Sequence, residues 1–167
     1  MLHTILVLAL TWLGLASSPC TQGAPAADKA AMASWEGSWT GDGKFFGQPA
    51  VQFIKWERVL DGKFLRLTMR VEAAGKTLFE GHAYYQSTVA GQYEARWFDS
   101  QGHIYPIKAG LDANTLTAFW GEPGKEEGKS TYRLLDTGKQ LEVVDAVHNK
   151  DGSWREFGRF VLKRALQ

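Results

Sequence analysis

The chain has almost no cysteine, because Cys20 is the single one among its 167 residues. A mature protein that has lost the segment around Cys20 has no disulfide and no thiol nucleophile. An excess of charge of one sign is also lacking, since 19 Lys and Arg side chains balance 18 Asp and Glu. No basic stripe indicates a nucleic-acid partner. Stability must come from a hydrophobic core, for which one domain of this length suffices.

Recognisable catalytic motifs are lacking as well. The sequence contains no Gly-x-Ser-x-Gly elbow and no Gly-x-x-x-x-Gly-Lys-Ser/Thr phosphate loop. His82, His103 and His148 are far apart and form no His-x-His or His-Glu-x-x-His pair. The sequence therefore predicts no catalytic residue, no metal site and no cofactor.

One long apolar run is present, over residues 5–16. About a dozen residues are too few to cross a bilayer, which takes about 20, but they match the hydrophobic core of a secretory signal. Ala24-Pro25-Ala26 supplies small residues for cleavage. We therefore predict a signal peptide over 1–26 and a periplasmic or secreted mature chain without stable membrane insertion. The alternative is an N-terminal anchor helix.

After the leader, turn signals such as Asp61-Gly62 and Thr137-Gly138 separate short segments rich in β-branched and aromatic residues. Alternation is clearest where Leu65 and Leu67 are flanked by polar neighbours. Short connections make neighbouring strands antiparallel, and closure removes both exposed edges. We therefore predict an all-β fold, a single antiparallel up-and-down β-barrel over residues 36–167 that follows a short segment, 27–35. Its ten strands lie near residues 36–46, 50–60, 63–73, 76–87, 92–99, 103–110, 114–121, 128–136, 140–149 and 153–164.

Three motifs in this order resemble a known group. Glu36–Gly43, with its Gly-Ser-Trp-Thr-Gly-Asp-Gly run, looks like the opening strand of calycin-type barrels, and Leu60–Leu65 and Ala95–Ser100 narrow the likeness. Together they resemble a bacterial lipocalin-like domain family of uncharacterised function, over nearly the whole mature chain. The resemblance implies one barrel with an internal cavity, in exported or periplasmic proteins, and no established activity.

The same opening, Gly-x-Trp-x-Gly-x-Gly, is also similar to nitrobindin, a ten-stranded barrel that binds haem through one histidine close to its C-terminal strand. Here the final strand, Trp154 to Arg164, contains no histidine, and His148 precedes it by a turn. The ligand position of that family is therefore unmatched. Haem bound through His148 or His103 stays an alternative.

The barrel also predicts which polar side chains face inward. A two-residue turn at Asp61-Gly62 places Arg58 opposite Leu65 and Trp56 opposite Leu67, with Trp56 and Arg58 inside. A three-residue loop would instead place Glu57 inside.

Inward carboxylates are predicted by parity with their apolar neighbours, and a buried carboxylate needs a partner. We therefore predict a polar cluster of Arg58 with Asp99, Asp145 or Glu156, framed by tryptophans. The alternative is that these polar residues lie in solvent near strand ends while the tryptophans fill the core. The predicted ligand-binding set is Trp56, Arg58, Trp97, Asp99, Trp120, Asp145 and Glu156.

Two residues are predicted to close the barrel rather than bind a ligand. Trp39 is large, lies beside glycines and plugs the barrel floor. Arg164 has inward parity at the end of the last strand and is expected to lie across the Trp39 ring, a cation–π contact of about 0.5–2 kcal/mol. Lys163 is the alternative partner.

The favoured function is an exported lipocalin-like barrel that binds a small apolar or amphipathic ligand in its interior. Three alternatives remain: a haem-binding barrel, a packed barrel that acts through its surface, and an enzyme that uses inward carboxylates. The sequence gives no indication of the oligomeric state.

Overall fold

Ten β-strands make up most of the residues that the computed structural model describes, which are 32–122 and 124–165. The leader predicted over 1–26 lies outside these residues, as does the start of segment 27–35. A short 3-10 turn, Asp136–Gly138, joins the eighth and ninth strands. The strands are β1 (Gly37–Phe45), β2 (Gln48–Val59), β3 (Phe64–Ala73), β4 (Lys76–Val89), β5 (Gln92–Asp99), β6 (Ile104–Asp112), β7 (Thr115–Gly121), β8 (Glu127–Leu135), β9 (Gln140–His148) and β10 (Trp154–Arg164).

The strands form a closed antiparallel barrel. Each strand pairs with its neighbours along the chain, and β1 pairs with β10, where Gly43 lies opposite Phe160 and Phe45 opposite Gly158. Closure matters because an open sheet would expose two rows of unpaired backbone groups. The predicted ten-stranded up-and-down barrel is confirmed.

The register of the β2–β3 hairpin follows from its turn. Asp61 and Gly62 have φ of 56° and 73°, and the Lys63 amide donates a hydrogen bond to the Leu60 carbonyl at 3.1 Å. Positive φ at both central residues matches the twist of a two-residue hairpin. Arg58 lies opposite Leu65 and Trp56 opposite Leu67, so the predicted register is confirmed.

The connections alternate between the two ends of the barrel, because every strand reverses the direction of the one before it. The loops after β1, β3, β5, β7 and β9 gather at one end, called here the open end. The other end, where β1 begins and β10 finishes, is called the closed end.

Trp39 and Arg164 shut the closed end. The Trp39 ring is buried, and its indole N–H donates a hydrogen bond to the Trp35 carbonyl at 2.9 Å. The Arg164 guanidinium lies 4.2 Å from the centre of the Trp39 ring, which confirms the predicted contact. Lys163, the alternative, lies opposite Thr40 instead.

The closed half of the interior is a packed core. Trp56 is fully buried there, with its ring 5.4 Å from both Tyr85 and Tyr132 and 6.4 Å from Trp35. Burial of each large apolar side chain contributes about 1.5–3 kcal/mol. Further fully buried side chains in the barrel include Leu67, Leu116, Leu141, Leu162, Val143, Phe160, Val71 and the polar Gln52.

A β-bulge interrupts β10 at its start. Glu156 lies opposite Ala146 and Gly158 opposite Asp145, so that one extra residue stands in β10 between them. An extra residue reverses the inward–outward alternation on one side of the bulge. The prediction that Glu156 faces inward is therefore wrong: its side chain is exposed and forms an ion pair with Arg159 at 2.6 Å.

Candidate functional site: the open-end cavity

A cavity of about 170 Å³, called here the open-end cavity, lies in the open half of the barrel. Every strand except β2 contributes to its wall, and nine of the 19 described residues that line it are Phe, Trp or Tyr. Cavities that bind small molecules are concave, mostly apolar and aromatic, and carry a few well-placed polar groups. The open-end cavity has this composition.

Trp97 and Trp120 form two of its walls. Phe79 stacks on Trp97, with ring centres 6.1 Å apart and planes 12° from parallel. Tyr105 packs against Trp120 at 5.5 Å. Aromatic pairs at these separations stabilise each other by about 0.5–1.5 kcal/mol, so each tryptophan wall is supported by a second ring.

Both tryptophan rings lie directly over a glycine on a neighbouring strand. A Cβ atom added at Gly81 would overlap the Trp97 ring, and one added at Gly128 would overlap the Trp120 ring. Glycine lacks the Cβ and lets another group approach the backbone closely. These two glycines therefore set how far the rings recede and how wide the cavity is.

The rim carries an exposed aromatic side chain in a hairpin turn. Phe46, in the tight turn after β1, has a φ of 47° and is 61% exposed. Its amide donates a hydrogen bond to the Phe157 carbonyl at 2.6 Å, and the two rings stack 5.0 Å apart. Phe46 and the following Gly47 both have positive φ, which is the geometry of a two-residue hairpin turn, and six other non-glycine residues of the described chain have positive φ as well. The turn therefore places the Phe46 ring at the rim of the cavity.

Asp145 is a buried carboxylate of the cavity wall, with 3% of its surface exposed. Ser130 donates a hydrogen bond to its Oδ1 at 2.6 Å and is its one side-chain hydrogen-bond donor in the described chain. Burial raises the pKa of Asp145 to about 6; the Ser130 hydrogen bond opposes this rise and the negative charge of Glu156 adds to it. Asp145 is therefore a largely ionised carboxylate at neutral pH that lacks a cationic partner.

Asp99 lies nearer the rim and is held quite differently. Its carboxylate accepts hydrogen bonds from the backbone amides of Gln101 and His103 at 2.9 and 3.0 Å and from the Trp97 indole at 3.2 Å. The His103 ring lies 3.2 Å from the other side of the carboxylate. Burial by itself would raise the pKa of Asp99, but these hydrogen bonds together lower it. Asp99 therefore fixes the β5–β6 loop and orients the Trp97 wall.

Four of the seven predicted site residues meet at the cavity: Trp97, Asp99, Trp120 and Asp145. Trp56 faces inward as predicted, but it lies in the packed core and does not line the cavity. Glu156 lies outside because of the bulge in β10.

The predicted ion pairing of Arg58 with an interior carboxylate is wrong. Arg58 pairs with Glu36 at 2.6 Å. It lies near the end of β2, at the closed end, whereas Asp99 finishes β5 at the open end. The two residues share an inward parity but stand at opposite ends of the barrel.

The two histidines named for the haem alternative differ in position. His148 points outward, where it contacts Glu127 at 3.0 Å and packs on Trp154. His103 lines the rim and is stacked on Tyr105. Within residues 32–122 and 124–165, no group of three His, Cys, Asp or Glu side chains is placed to hold a metal ion.

Several lining residues were missed by sequence reasoning. Phe46, Gln101 and Glu126 lie in loops, where alternation does not assign a face. The signal that could have found them is topological, because the loops after odd-numbered strands all meet at one end of an up-and-down barrel. Tyr105 lies in a strand in which inward and outward residues alternate, but its neighbours Ile104 and Pro106 are also apolar. The sequence therefore does not show which of the three faces inward.

Comparison with solved structures supports the fold alone. The chain is similar to the crystal structure of Rv2717c from M. tuberculosis, with a TM-score of 0.64 and 17% sequence identity over 86% of this chain and 99% of the other. No protein-family model matches the chain, and no curated protein sequence matches it. In the part of the chain that the structure describes, no helix has the length and apolar character needed to span a membrane.

Proposed function

We propose that this protein is a lipocalin-like binding barrel that takes a small apolar or amphipathic molecule into the open-end cavity. The observation that carries the proposal is the cavity itself, a recess walled by Trp97 and Trp120 with one buried carboxylate, Asp145, in its wall. Flat aromatic walls contribute contact area, and a small number of well-placed polar groups fix the orientation of a ligand.

The interior favours this function over that of a packed barrel acting through its surface. Side chains fill the closed half, where Trp56 and Leu67 are fully buried. In the open half, the receding rings over Gly81 and Gly128 leave a recess instead. An apolar cavity of about 150 Å³ is large enough to hold benzene, so about 170 Å³ accommodates one aromatic ring with a short substituent.

Binding can be tested with single-ring aromatic alcohols, esters and amines, by calorimetry on the mature protein. Val147 lines the cavity and Val144, three residues earlier on β9, does not. Val147→Phe should fill the recess and abolish binding, whereas Val144→Phe is the matched control and should bind as the wild type does. Absence of binding by the whole set, or equal binding by both variants, would refute a ligand site in the cavity.

The proposal includes export of the mature chain, which rests on the apolar run over 5–16 and the small residues before Ala27. A chain that begins near Ala27 retains Met32 and Trp35, which are both buried against the barrel. The intact mass of the protein from its native cells tests this. A mass that includes residues 1–26 would contradict cleavage.

A further inference from the structure

We propose that the open-end cavity selects organic cations: its ligand is a small aromatic amine whose ammonium group pairs with the Asp145 carboxylate while its ring lies between the aromatic walls. This inference rests on the proposed function and adds the charge of the ligand to it.

The charge of the cavity wall is the first observation. Among the residues that the structure describes, three carboxylates line it, Asp99, Glu126 and Asp145, and no lysine or arginine does. The chain as a whole has 19 basic and 18 acidic side chains, so composition alone does not explain a wall of one sign. A concave site lined by one sign of charge attracts ligands of the other sign and repels those of its own.

Several arginines of the barrel form ion pairs away from the cavity. Arg133 and Arg159 both pair with Glu142 on the outside of the barrel, at 2.6 and 3.0 Å. Arg58 pairs with Glu36 at the closed end. Arg155 lies opposite Val147, but its side chain is exposed and is not part of the cavity wall. No basic side chain of the described chain therefore neutralises Asp145 from inside the cavity.

The three carboxylates differ in what they already bind. Asp99 accepts hydrogen bonds from two backbone amides and an indole. Glu126 accepts one from the Tyr105 hydroxyl at 2.7 Å. Asp145 has the Ser130 hydroxyl alone, although it is buried. A buried carboxylate that lacks a cation is unfavourable, so Asp145 is the group that gains most from a ligand ammonium.

The aromatic walls favour the same ligand charge. The faces of Trp, Tyr and Phe attract cations, with Trp the strongest, and aromatic rings grouped around a ligand are a recurring way to bind ammonium groups. Trp97, Trp120 and Tyr105 present such surfaces to the cavity. An anionic amphiphile such as a fatty acid would face the same carboxylates and be repelled.

Three ligands of nearly the same shape test the charge. These are 2-phenylethylamine, which is a cation at pH 7.5, 2-phenylethanol, which is neutral, and phenylacetate, which is an anion. Calorimetry on the full mature protein should give binding of the amine at least tenfold tighter than binding of the alcohol, with no detectable binding of phenylacetate. Equal affinities for the amine and the alcohol, or tighter binding of phenylacetate, would overturn the proposal.

Two variants identify the carboxylate. Asp145→Asn keeps the shape and removes the charge, so the amine should lose tenfold or more in affinity while the alcohol keeps its own. Glu156→Gln is the matched control, since it removes an outer carboxylate close to Asp145 and should change amine affinity less than threefold. An unchanged amine affinity in Asp145→Asn, or equal losses in both variants, would overturn the assignment.

The outcome for the alcohol separates the two proposals. Binding of 2-phenylethanol that is lost in Val147→Phe, without any preference for the amine, would leave the binding function standing and refute charge selection. Failure of all three compounds, together with the wider aromatic set, would refute the binding function itself.

Discussion

The Arg164 guanidinium lies over the Trp39 ring and at the same time donates hydrogen bonds to the carbonyls of Ser34 and Glu36, at 2.6 and 2.7 Å. One side chain at the end of β10 thus joins the last strand, the first strand and the segment that precedes it. The contact closes the barrel end opposite the cavity.

Arg164→Ala should therefore lower stability without changing affinity. A cation–π contact contributes about 0.5–2 kcal/mol, and hydrogen bonds from a charged group contribute about 1.5–3 kcal/mol, less where they are exposed. We expect the free energy of unfolding in urea to fall by about 2 kcal/mol. Arg164→Lys should lie in between, since it keeps the charge and loses the planar fork.

Arg96 provides the control, because it is also an exposed arginine on a strand. Arg96→Ala should change stability by less than about 0.5 kcal/mol, as most surface substitutions do. Equal effects of Arg164→Ala and Arg96→Ala would show that the closed end does not depend on the guanidinium.

Gly128→Ala should disturb the cavity wall, because the added methyl group has no room beside Trp120. Overpacking costs about 1–3 kcal/mol, and the displaced ring would enter the recess. We expect a lower melting temperature and loss of aromatic-ligand binding by calorimetry. Gly110→Ala is the control on β6, where nothing lies within 4 Å of the added atom. A Gly128→Ala protein that binds as the wild type does would contradict the role of this glycine.

Asp145→Asn should stabilise the empty protein at neutral pH. The pKa of Asp145 is raised from 3.8 to about 6 in the folded state. A raised carboxyl pKa means that stability is fully present below the unfolded pKa and is lost as pH rises through the folded one. The wild type should therefore lose up to about 3 kcal/mol from this group between about pH 4 and pH 7.

The difference in unfolding free energy between the wild type and Asp145→Asn separates the contribution of Asp145 from those of the other carboxylates. Asp99 and Glu156 have lowered pKa values and act in the opposite direction in both proteins alike. Urea unfolding should give similar stabilities at pH 4 and a more stable Asp145→Asn at pH 7.5. A variant that is less stable at pH 7.5 would indicate that Asp145 is a structural hydrogen-bond acceptor.

Amine affinity should fall as the cavity carboxylate gains a proton. Lowering the pH from 7.5 to 5 should weaken binding of 2-phenylethylamine about tenfold, because Asp145, with a pKa of about 6, becomes mostly neutral. Besides burial, the negative charge of Glu156 raises the pKa of Asp145. Burial raises the pKa of Tyr85 and Tyr132, and the charge of Asp145 adds to this rise, so both tyrosines stay neutral throughout.

His103 also lines the cavity, so amine affinity should be measured over the same pH range in His103→Gln. This separates any contribution of His103 to the pH dependence from that of Asp145. Binding of 2-phenylethanol should show no such dependence in either protein. An amine affinity that is constant from pH 7.5 to 5 would contradict pairing with Asp145.

Alternation and turn signals predicted the barrel because an up-and-down sheet has no long connections to obscure them. The Asp61-Gly62 turn set the β2–β3 register correctly, and parity placed Asp145 inside. The prediction for Glu156 failed because a β-bulge at Phe157 shifts the alternation of β10. A single sequence does not reveal this bulge, since Phe157 fits an outward or an inward position equally well.

The error at Arg58 has a different cause. Parity assigns a side chain to a face of the sheet but not to a height along the barrel. Arg58 stands near the end of an even-numbered strand and Asp99 at the end of an odd-numbered one, so the two lie at opposite ends. Counting strand directions would have separated them from the sequence alone. The glycines under Trp97 and Trp120, in contrast, have no sequence signal that distinguishes a close approach from a bulge.

The indole N–H signals in a nitrogen–proton correlation spectrum test the central claim most directly. Trp97 and Trp120 line the cavity, Trp39 closes the far end, and Trp154 lies outside. Titration with 2-phenylethylamine and with 2-phenylethanol should shift the Trp97 and Trp120 signals saturably and leave those of Trp39 and Trp154 in place. Saturable shifts at Trp154 alone, or no saturable shift with either compound, would contradict a ligand site inside this barrel.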